Sequence, residues 1–301
     1  MPFFKKKRLL LLMLTINLED KSYNKSLKKK FKNSVVAAFE KYGLLKFTNV
    51  KDDFIKFINQ FTYSYANDAR RRKERMNDRN IRNVDGGKKK IYLHSEASFS
   101  PSQPEIVWFY CINPPETDSG DTLYCDGMNL WEEIPAKFKL FFLENPILYK
   151  LKIPIYLPQK KKNLKRKWYL ETPGVKNCIL DYNDHTLNFD FFKFALEKSR
   201  IQNKYCFANH LFIPLSSVPQ ILERTFLNNK NISEAEFKVL IDLADKNTKH
   251  IKWKKNELVM IDNLRYMHGR TSINSKESKR DIVVVQSMKS NFGYGSTNPK
   301  I

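Results

Sequence analysis

Apolar side chains recur three and four residues apart between positions 24 and 42 (Leu27, Phe31, Val35, Val36, Phe39), which predicts an amphipathic helix. Gly43 supplies a stop, and Leu44-Leu45-Lys46-Phe47 follows as a short strand. A second helix is predicted over 52–62. The pattern then changes. Residues 104–115 are β-branched and aromatic between prolines, the pattern of a buried strand. Further strands are predicted over 121–125, 147–156, 178–182, 258–261 and 282–286. Asp126 stands where an N-cap would precede a helix over 128–143. Helices are also predicted over 189–199, 216–228 and 233–246. The last opens on Ser233 with Glu236 three residues on, a capping box. Many short strands padded by helices predict a mainly β fold with flanking helices, built on a double-stranded β-helix (a jelly-roll, cupin-like core).

Between these elements lie segments without periodicity. Residues 66–90 are polar and Arg-rich and reach Gly86-Gly87 near their end. They predict a mobile loop, either a lid over a site or a solvated connection. Lys160 to Lys167 reads as a basic, exposed segment, and residues 291–301 as a frayed tail. Lys5 to Arg8 followed by the apolar run Leu9 to Leu14 resembles the start of a secretory leader. The run is short, lacks a small-residue cleavage site and leads into Asn17-Leu18-Glu19-Asp20, so a first β-strand is expected instead. No stretch approaches the ~20 apolar residues of a membrane span. Without repeats or a Pro/Gly/Ser-rich linker, residues 1–301 are expected to form one domain.

Composition changes this picture in two ways. Hydrophobic residues make up 42% and aromatics 13%, which excludes wholesale disorder. Lys plus Arg number 54 against 32 Asp plus Glu, a net charge of +22 that favours anionic partners. AT-rich coding, with its abundance of Lys, Asn, Ile and Phe, would produce the same balance, so the charge has two readings. Cys111, Cys125, Cys178 and Cys206 show no CxxC spacing and are expected as reduced, partly buried thiols of a cytoplasmic protein.

The candidate chemistry sits in two places. His94-Ser95-Glu96 puts an imidazole and a carboxylate two residues apart, and on a strand such residues share a face. Far downstream, Asp262-Asn263 leads through Leu264, Arg265, Tyr266 and Met267 to His268-Gly269-Arg270. Two imidazoles and one carboxylate form the facial triad of non-haem Fe(II), which leaves coordination positions open for O2 and an oxidisable cosubstrate. His94, Glu96 and His268 are therefore candidate metal ligands and catalytic residues. Asp126 reads as a cap, and Asn263 as a residue that fixes the strand end presenting His268.

Four segments together resemble the taurine dioxygenase (TauD/TfdA) family of clavaminate synthase-like Fe(II)/2-oxoglutarate oxygenases, over about residues 15–290. They are Tyr42-Gly43-Leu44-Leu45-Lys46-Phe47, His94-Ser95-Glu96, Ser119-Gly120-Asp121-Thr122 with Asp126, and Asp262-Asn263 through His268-Gly269-Arg270. The resemblance implies Fe(II), 2-oxoglutarate as cosubstrate and O2. It also implies that Arg280, about a dozen residues after His268, and Thr122 hold the distal carboxylate of 2-oxoglutarate. A guanidinium suits that task because its fork meets a carboxylate at two points. Arg270, beside His268, is expected at the rim of the metal site, against substrate or behind a ligand. Two departures touch no ligand: Asn256-Glu257 replaces a frequent Gly-Asp, and Ser119-Gly120-Asp121-Thr122 replaces Gly-Gly-Glu-Thr. The intact Glu96 argues against a halogenase of this superfamily.

The implied reaction is hydroxylation, desaturation or oxidative cyclisation at an unactivated C–H bond. The expected substrate is a small, anionic, carboxylate-bearing molecule, an amino acid or derivative in specialised metabolism. Two other readings stay open. The Lys160 to Lys167 run and the Arg70 to Arg72 cluster could contact nucleic acid, or a protein substrate, although nucleic acid is disfavoured as a partner. A non-catalytic jelly roll that binds a ligand is the other.

Overall fold

The computed structural model describes residues 13–18, 29–50, 53–66, 72–84, 87–155, 157–199, 204–227, 230–277 and 279–292. Strand β1 (Leu14–Asn17) is followed by helix α1 (Lys29–Tyr42), β2 (Leu44–Thr48), α2 (Phe54–Asn59) and β3 (Thr62–Tyr65). Next come β4 (Glu74–Arg75), β5 (Asp78–Asn83), β6 (Ile91–His94), β7 (Ile106–Asn113) and β8 (Thr122–Asp126). Helices α3 (Gly127–Glu133) and α4 (Ala136–Glu144) precede β9 (Ile147–Pro154) and α5 (Gln159–Leu170). Then follow β10 (Val175–Asp181), β11 (Thr186–Lys193), β12 (Leu196–Lys198), β13 (Tyr205–Phe207) and β14 (Ile221–Phe226). Helix α6 (Glu234–Asn247) leads to β15 (Lys249–Ile251), β16 (Leu258–Asp262), β17 (Tyr266–Arg270) and β18 (Asp281–Ser290).

Two sheets form the jelly roll. The larger runs β1-β2-β16-β7-β18-β5-β4, with β3 also on β18, and the smaller runs β15-β8-β17-β6. Between them lies an apolar interior that includes Val107, Phe109, Tyr124, Val259, Ile282 and Val284. The outer face of the larger sheet is sealed by Phe39 of α1 and by Phe54 and Phe57 of α2, with the Phe57 ring meeting Trp108 of β7. A third core lies outside the smaller sheet, where Cys125 and Met267 meet α3, α4, α6 and an inserted sheet, β10-β11-β9-β14. All four cysteines are buried thiols. Among the described residues no helix is long and apolar enough to cross a membrane.

Most predicted elements are present, including the Ser233–Glu236 capping box and the Asp126 cap, which accepts from the Met128 amide at 3.0 Å. Asn256 adopts the left-handed conformation that a glycine would otherwise supply (φ 63°). Four expectations fail. Residues 66–90 are not a plain loop: β4 and β5 make a hairpin that extends the larger sheet along β18. Arg75 anchors it with two hydrogen bonds to Asp281, at 3.0 and 2.6 Å. The helix expected over 128–143 is two, because Pro135 lacks the N–H that continuation requires. Residues 189–199 form β11 and β12, and 216–228 contain β14. In β11 Leu187, Phe189 and Phe191 point inward while Asn188 and Asp190 stay half-exposed, so period two prevails once β9 and β10 pair on both sides. The Lys160 to Lys167 run is the body of helix α5. Of the expected strand over 9–14, residues 9–12 lie outside the described residues, as does most of the tail.

Candidate active site

Strand β17 lies between β8 and β6, and its register places His268 opposite both Tyr124 and His94, and Arg270 opposite Thr122. Directly opposed residues share a face, as do residues two apart. His94, His268, Arg270 and Thr122 therefore all face the barrel interior. Gly269 makes the close pairing of β17 with β6 possible: a Cβ there would lie 2.6 Å from the Ile91 carbonyl oxygen.

Glu96 reaches the same point differently than the sequence suggested. Strand β6 ends at His94, and Glu96 sits in the following turn. The turn is fixed by Asn263, whose Oδ1 accepts from the Glu96 amide at 2.7 Å and whose Nδ2 donates to the Glu96 carbonyl at 3.0 Å. The same Nδ2 donates to the Pro104 carbonyl at 2.8 Å, and Ser95 Oγ donates to the Asn263 carbonyl at 2.5 Å. Asn263 thus holds the carboxylate's turn more than the strand end of His268. Asp126 is structural as well as a cap, held by Arg265 at 3.0 and 2.5 Å.

The donor atoms of His94, Glu96 and His268 all lie within 4.8 Å of one another. Glu96 Oε2 is 3.8 Å from His94 Nε2 and 3.6 Å from His268 Nε2. Donors around one ion with bonds of about 2.0–2.2 Å stand roughly 3 Å apart, so the Glu96 distances to both imidazoles are somewhat longer than those of a closed ligand set. His94 Nδ1 donates to the Tyr92 carbonyl at 2.8 Å, which fixes the ring with Nε2 toward Glu96. Burial, reinforced by the charge of His94, pushes His268 down to about 4. Burial pushes the Glu96 carboxyl up, but Arg72 and the two imidazoles more than reverse this and keep it ionised. Neutral imidazoles and a carboxylate are the forms that ligate. The residues present fit a facial Fe(II) site.

Two side chains at the triad gave no interpretable sequence signal. Arg72 Nη2 donates to Glu96 Oε1 at 2.9 Å and Oε2 at 3.1 Å. Its guanidinium is directed inward, which corrects the reading of Arg72 as a contact for nucleic-acid phosphates. His210 is buried with its ring 5.2 Å from that of His94, and burial, followed by the His94 charge, lowers it to about 3. The Arg72 contact has a testable consequence. A divalent cation and a guanidinium about 5 Å apart repel by several kcal/mol at an effective dielectric near 20, before screening. Arg72→Gln is therefore expected to tighten Mn(II) binding by about tenfold or more, read from the paramagnetic resonance of free Mn(II). Weaker binding would mean that Arg72 chiefly orients Glu96.

In the loop before β18, Arg280 Nε donates to the Gly120 carbonyl at 2.9 Å. Gly120 has φ +73°, and a Cβ there would stand 2.8 Å from Arg280 Cδ, so glycine is required at this shelf. Thr122 Oγ1 accepts from Trp253 Nε1 at 2.9 Å. Arg270 Nη2 donates to the Gly87 and Lys89 carbonyls at 2.6 and 2.7 Å, pinning the segment that enters β6. Burial, then the charge of Arg270, brings Arg280 down to about 10. Burial also lowers Arg270, so both guanidiniums are partly desolvated.

The model of the taurine catabolism dioxygenase TauD, TfdA family matches residues 12–286. The chain belongs to this family. It is accordingly a 2-oxoglutarate-dependent dioxygenase that uses Fe(II) and O2. No curated protein matches the sequence directly. Among solved structures, one assigned as an alpha-ketoglutarate-dependent taurine dioxygenase from Burkholderia xenovorans is similar at 10% identity and TM-score 0.62, covering 91% of this chain and 89% of its own. A taurine dioxygenase from the same organism gives 12% and 0.60, with 91% and 86% covered. AAD-2 in complex with Mn(II) and N-oxalylglycine gives 14% and 0.56, with 96% and 97% covered. At these identities the likeness speaks to the fold, which is the jelly roll described above.

Proposed function

We propose that His94, Glu96 and His268 hold the Fe(II), that Arg280 and Thr122 hold the distal carboxylate of 2-oxoglutarate, and that the enzyme oxidises a small carboxylate-bearing molecule. The substrate class we favour is an amino acid or a derivative of one, in specialised metabolism. The observation that carries the reading is the convergence of the three donor atoms within 4.8 Å on the inner face that also bears Thr122 and Arg270. Iron bound there supplies the redox centre at which O2 reduction is coupled to conversion of 2-oxoglutarate into succinate and CO2 and to oxidation of a C–H bond.

The chain's own residues position and exclude. Arg280 offers its guanidinium to an anionic tail, and its shelf at Gly120 fixes where that tail ends. Arg270 acts as a positioning residue through its two carbonyl contacts. Phe109, whose ring lies 5.3 Å from that of His268, lines the site with apolar surface and limits water. The Arg72 guanidinium beside Glu96 supports an anionic substrate, because a cation on Glu96 weakens the carboxylate's hold on Arg72. No acid–base pair is needed, because the protein's task is to place one C–H bond.

The test is turnover of 2-oxoglutarate to succinate across a panel of amino acids and their derivatives. Substrate-stimulated succinate formation by one of them is expected, and stimulation by none would remove the substrate class. In the same assay Arg280→Ala is expected to raise the KM for 2-oxoglutarate about 10–100-fold, the loss of a charge-assisted hydrogen-bonded pair. An unchanged KM would assign that carboxylate to another residue.

A further inference from the structure

Helix α5 carries more charge and more exposed apolar surface than its packing uses. It docks through Tyr169, whose ring lies 4.7 Å from that of Phe189, and through buried Lys162, whose Nζ is 2.9 Å from His185 Nδ1. The rest of Gln159–Leu170 includes Lys160, Lys161, Lys165, Arg166 and Lys167, and the helix has no Asp or Glu. Lys167 lies 3.8 Å from Glu171 across two exposed side chains, a pairing worth little. On the same helix Leu164 is 61% exposed, Trp168 44% and Leu170 51%. Leu164 and Trp168 are one turn apart and therefore adjacent on the helix surface. Lys160 and Lys161 sit one turn before Leu164, and Lys165 lies one turn before Trp168, so cations and apolar groups interleave. Tyr182, 47% exposed, adjoins them with its hydroxyl donating to Asn163 Oδ1 at 2.8 Å.

We propose that α5 is a peripheral docking face for an anionic phospholipid surface. Lysines there gain from a negative surface potential. Leu164 and Trp168 gain by entering the headgroup boundary, where an indole ring is at home and lysine stems extend past apolar neighbours. Phosphates of a nucleic acid would satisfy the cations but leave exposed Leu164 and Leu170 in water, which favours lipid. The net charge of +22 adds long-range attraction toward the same partner. The proposal is independent of the metal-site assignment.

The test uses the full-length protein and sedimentation with phosphatidylcholine vesicles, with and without phosphatidylserine. Binding to the phosphatidylserine-containing vesicles alone is expected, and it should weaken as salt rises. Reversing three exposed charges (K160E, K161E and K167E together) is expected to reduce binding about 100-fold. The double variant L164N/W168S should also bind more weakly, and both variants should leave decarboxylation of 2-oxoglutarate unchanged. The proposal falls if wild-type protein binds neither vesicle or both equally. It also falls if the charge-reversed variant binds like wild type, which would assign attraction to the chain's overall charge. Tight binding of single-stranded RNA that L164N/W168S leaves intact, without vesicle binding, would give the face to nucleic acid instead.

Discussion

His268→Ala is expected to abolish Fe(II) binding and turnover while leaving the metal-free fold in place. Removing one of three protein ligands forfeits on the order of 4 kcal/mol of binding, about 1000-fold, taking a share of the affinity typical of buried transition-metal sites. The fold should tolerate the change because His268 Nδ1 is buried without a hydrogen-bond partner among the described residues. Its imidazole is a desolvation burden that burial already drives neutral. Mn(II) titration and a thermal melt check the two halves separately. Near-normal Mn(II) affinity would remove His268 from the ligand set, and loss of the cooperative melt would make the residue structural.

Asn263→Ala should be costly in the opposite sense, because it strikes the fold and the site together. Asn263 is fully buried, and its amide satisfies the Glu96 amide, the Glu96 carbonyl and the Pro104 carbonyl. Alanine leaves all three without that partner, at a cost on the order of 3–4 kcal/mol. Glu96 sits in a turn and not in a strand, so no sheet ladder holds it when Asn263 is gone. Mn(II) affinity should fall along with the denaturant midpoint. Asn263→Asp should be little better, since it keeps the acceptor but loses the donor and brings a second negative charge beside Glu96. A stability loss below about 1 kcal/mol with unchanged Mn(II) affinity would show that the turn is held by other contacts.

How much of this was legible in the sequence depends on whether neighbours in the chain or neighbours in space decide a position. Local signals were reliable. The capping box at Ser233, the cap at Asp126, the Pro-bounded strand at Ile106–Asn113 and the left-handed Asn256 follow from side-chain chemistry within a few residues. Residues 189–199 misled because their closely spaced aromatics satisfy helical and strand periods alike, and pairing with β9 and β10 decides between them. Pro135 is plain in the sequence, and its missing N–H divides what apolar spacing alone presents as one helix. At the site, spacing brought out His94, Glu96 and His268, but not that the strand stops at His94. That depends on the reach of Asn263 across the chain. Arg72 was visible as part of a basic cluster, and its sequence neighbours say nothing of Glu96. Likewise Arg270 looked like a rim residue, whereas its contacts with Gly87 and Lys89 arise from a loop brought alongside by the fold.

The central claim is that His94, Glu96 and His268 present Fe(II) with room for 2-oxoglutarate to chelate it. The most direct measurement is the visible spectrum of the purified metal-free protein under anaerobic conditions, after Fe(II) and then 2-oxoglutarate are added. A weak metal-to-ligand charge-transfer band that appears only with both, and not in His268→Ala, is the predicted result. Protein that binds Fe(II) yet shows no band with saturating 2-oxoglutarate would contradict it.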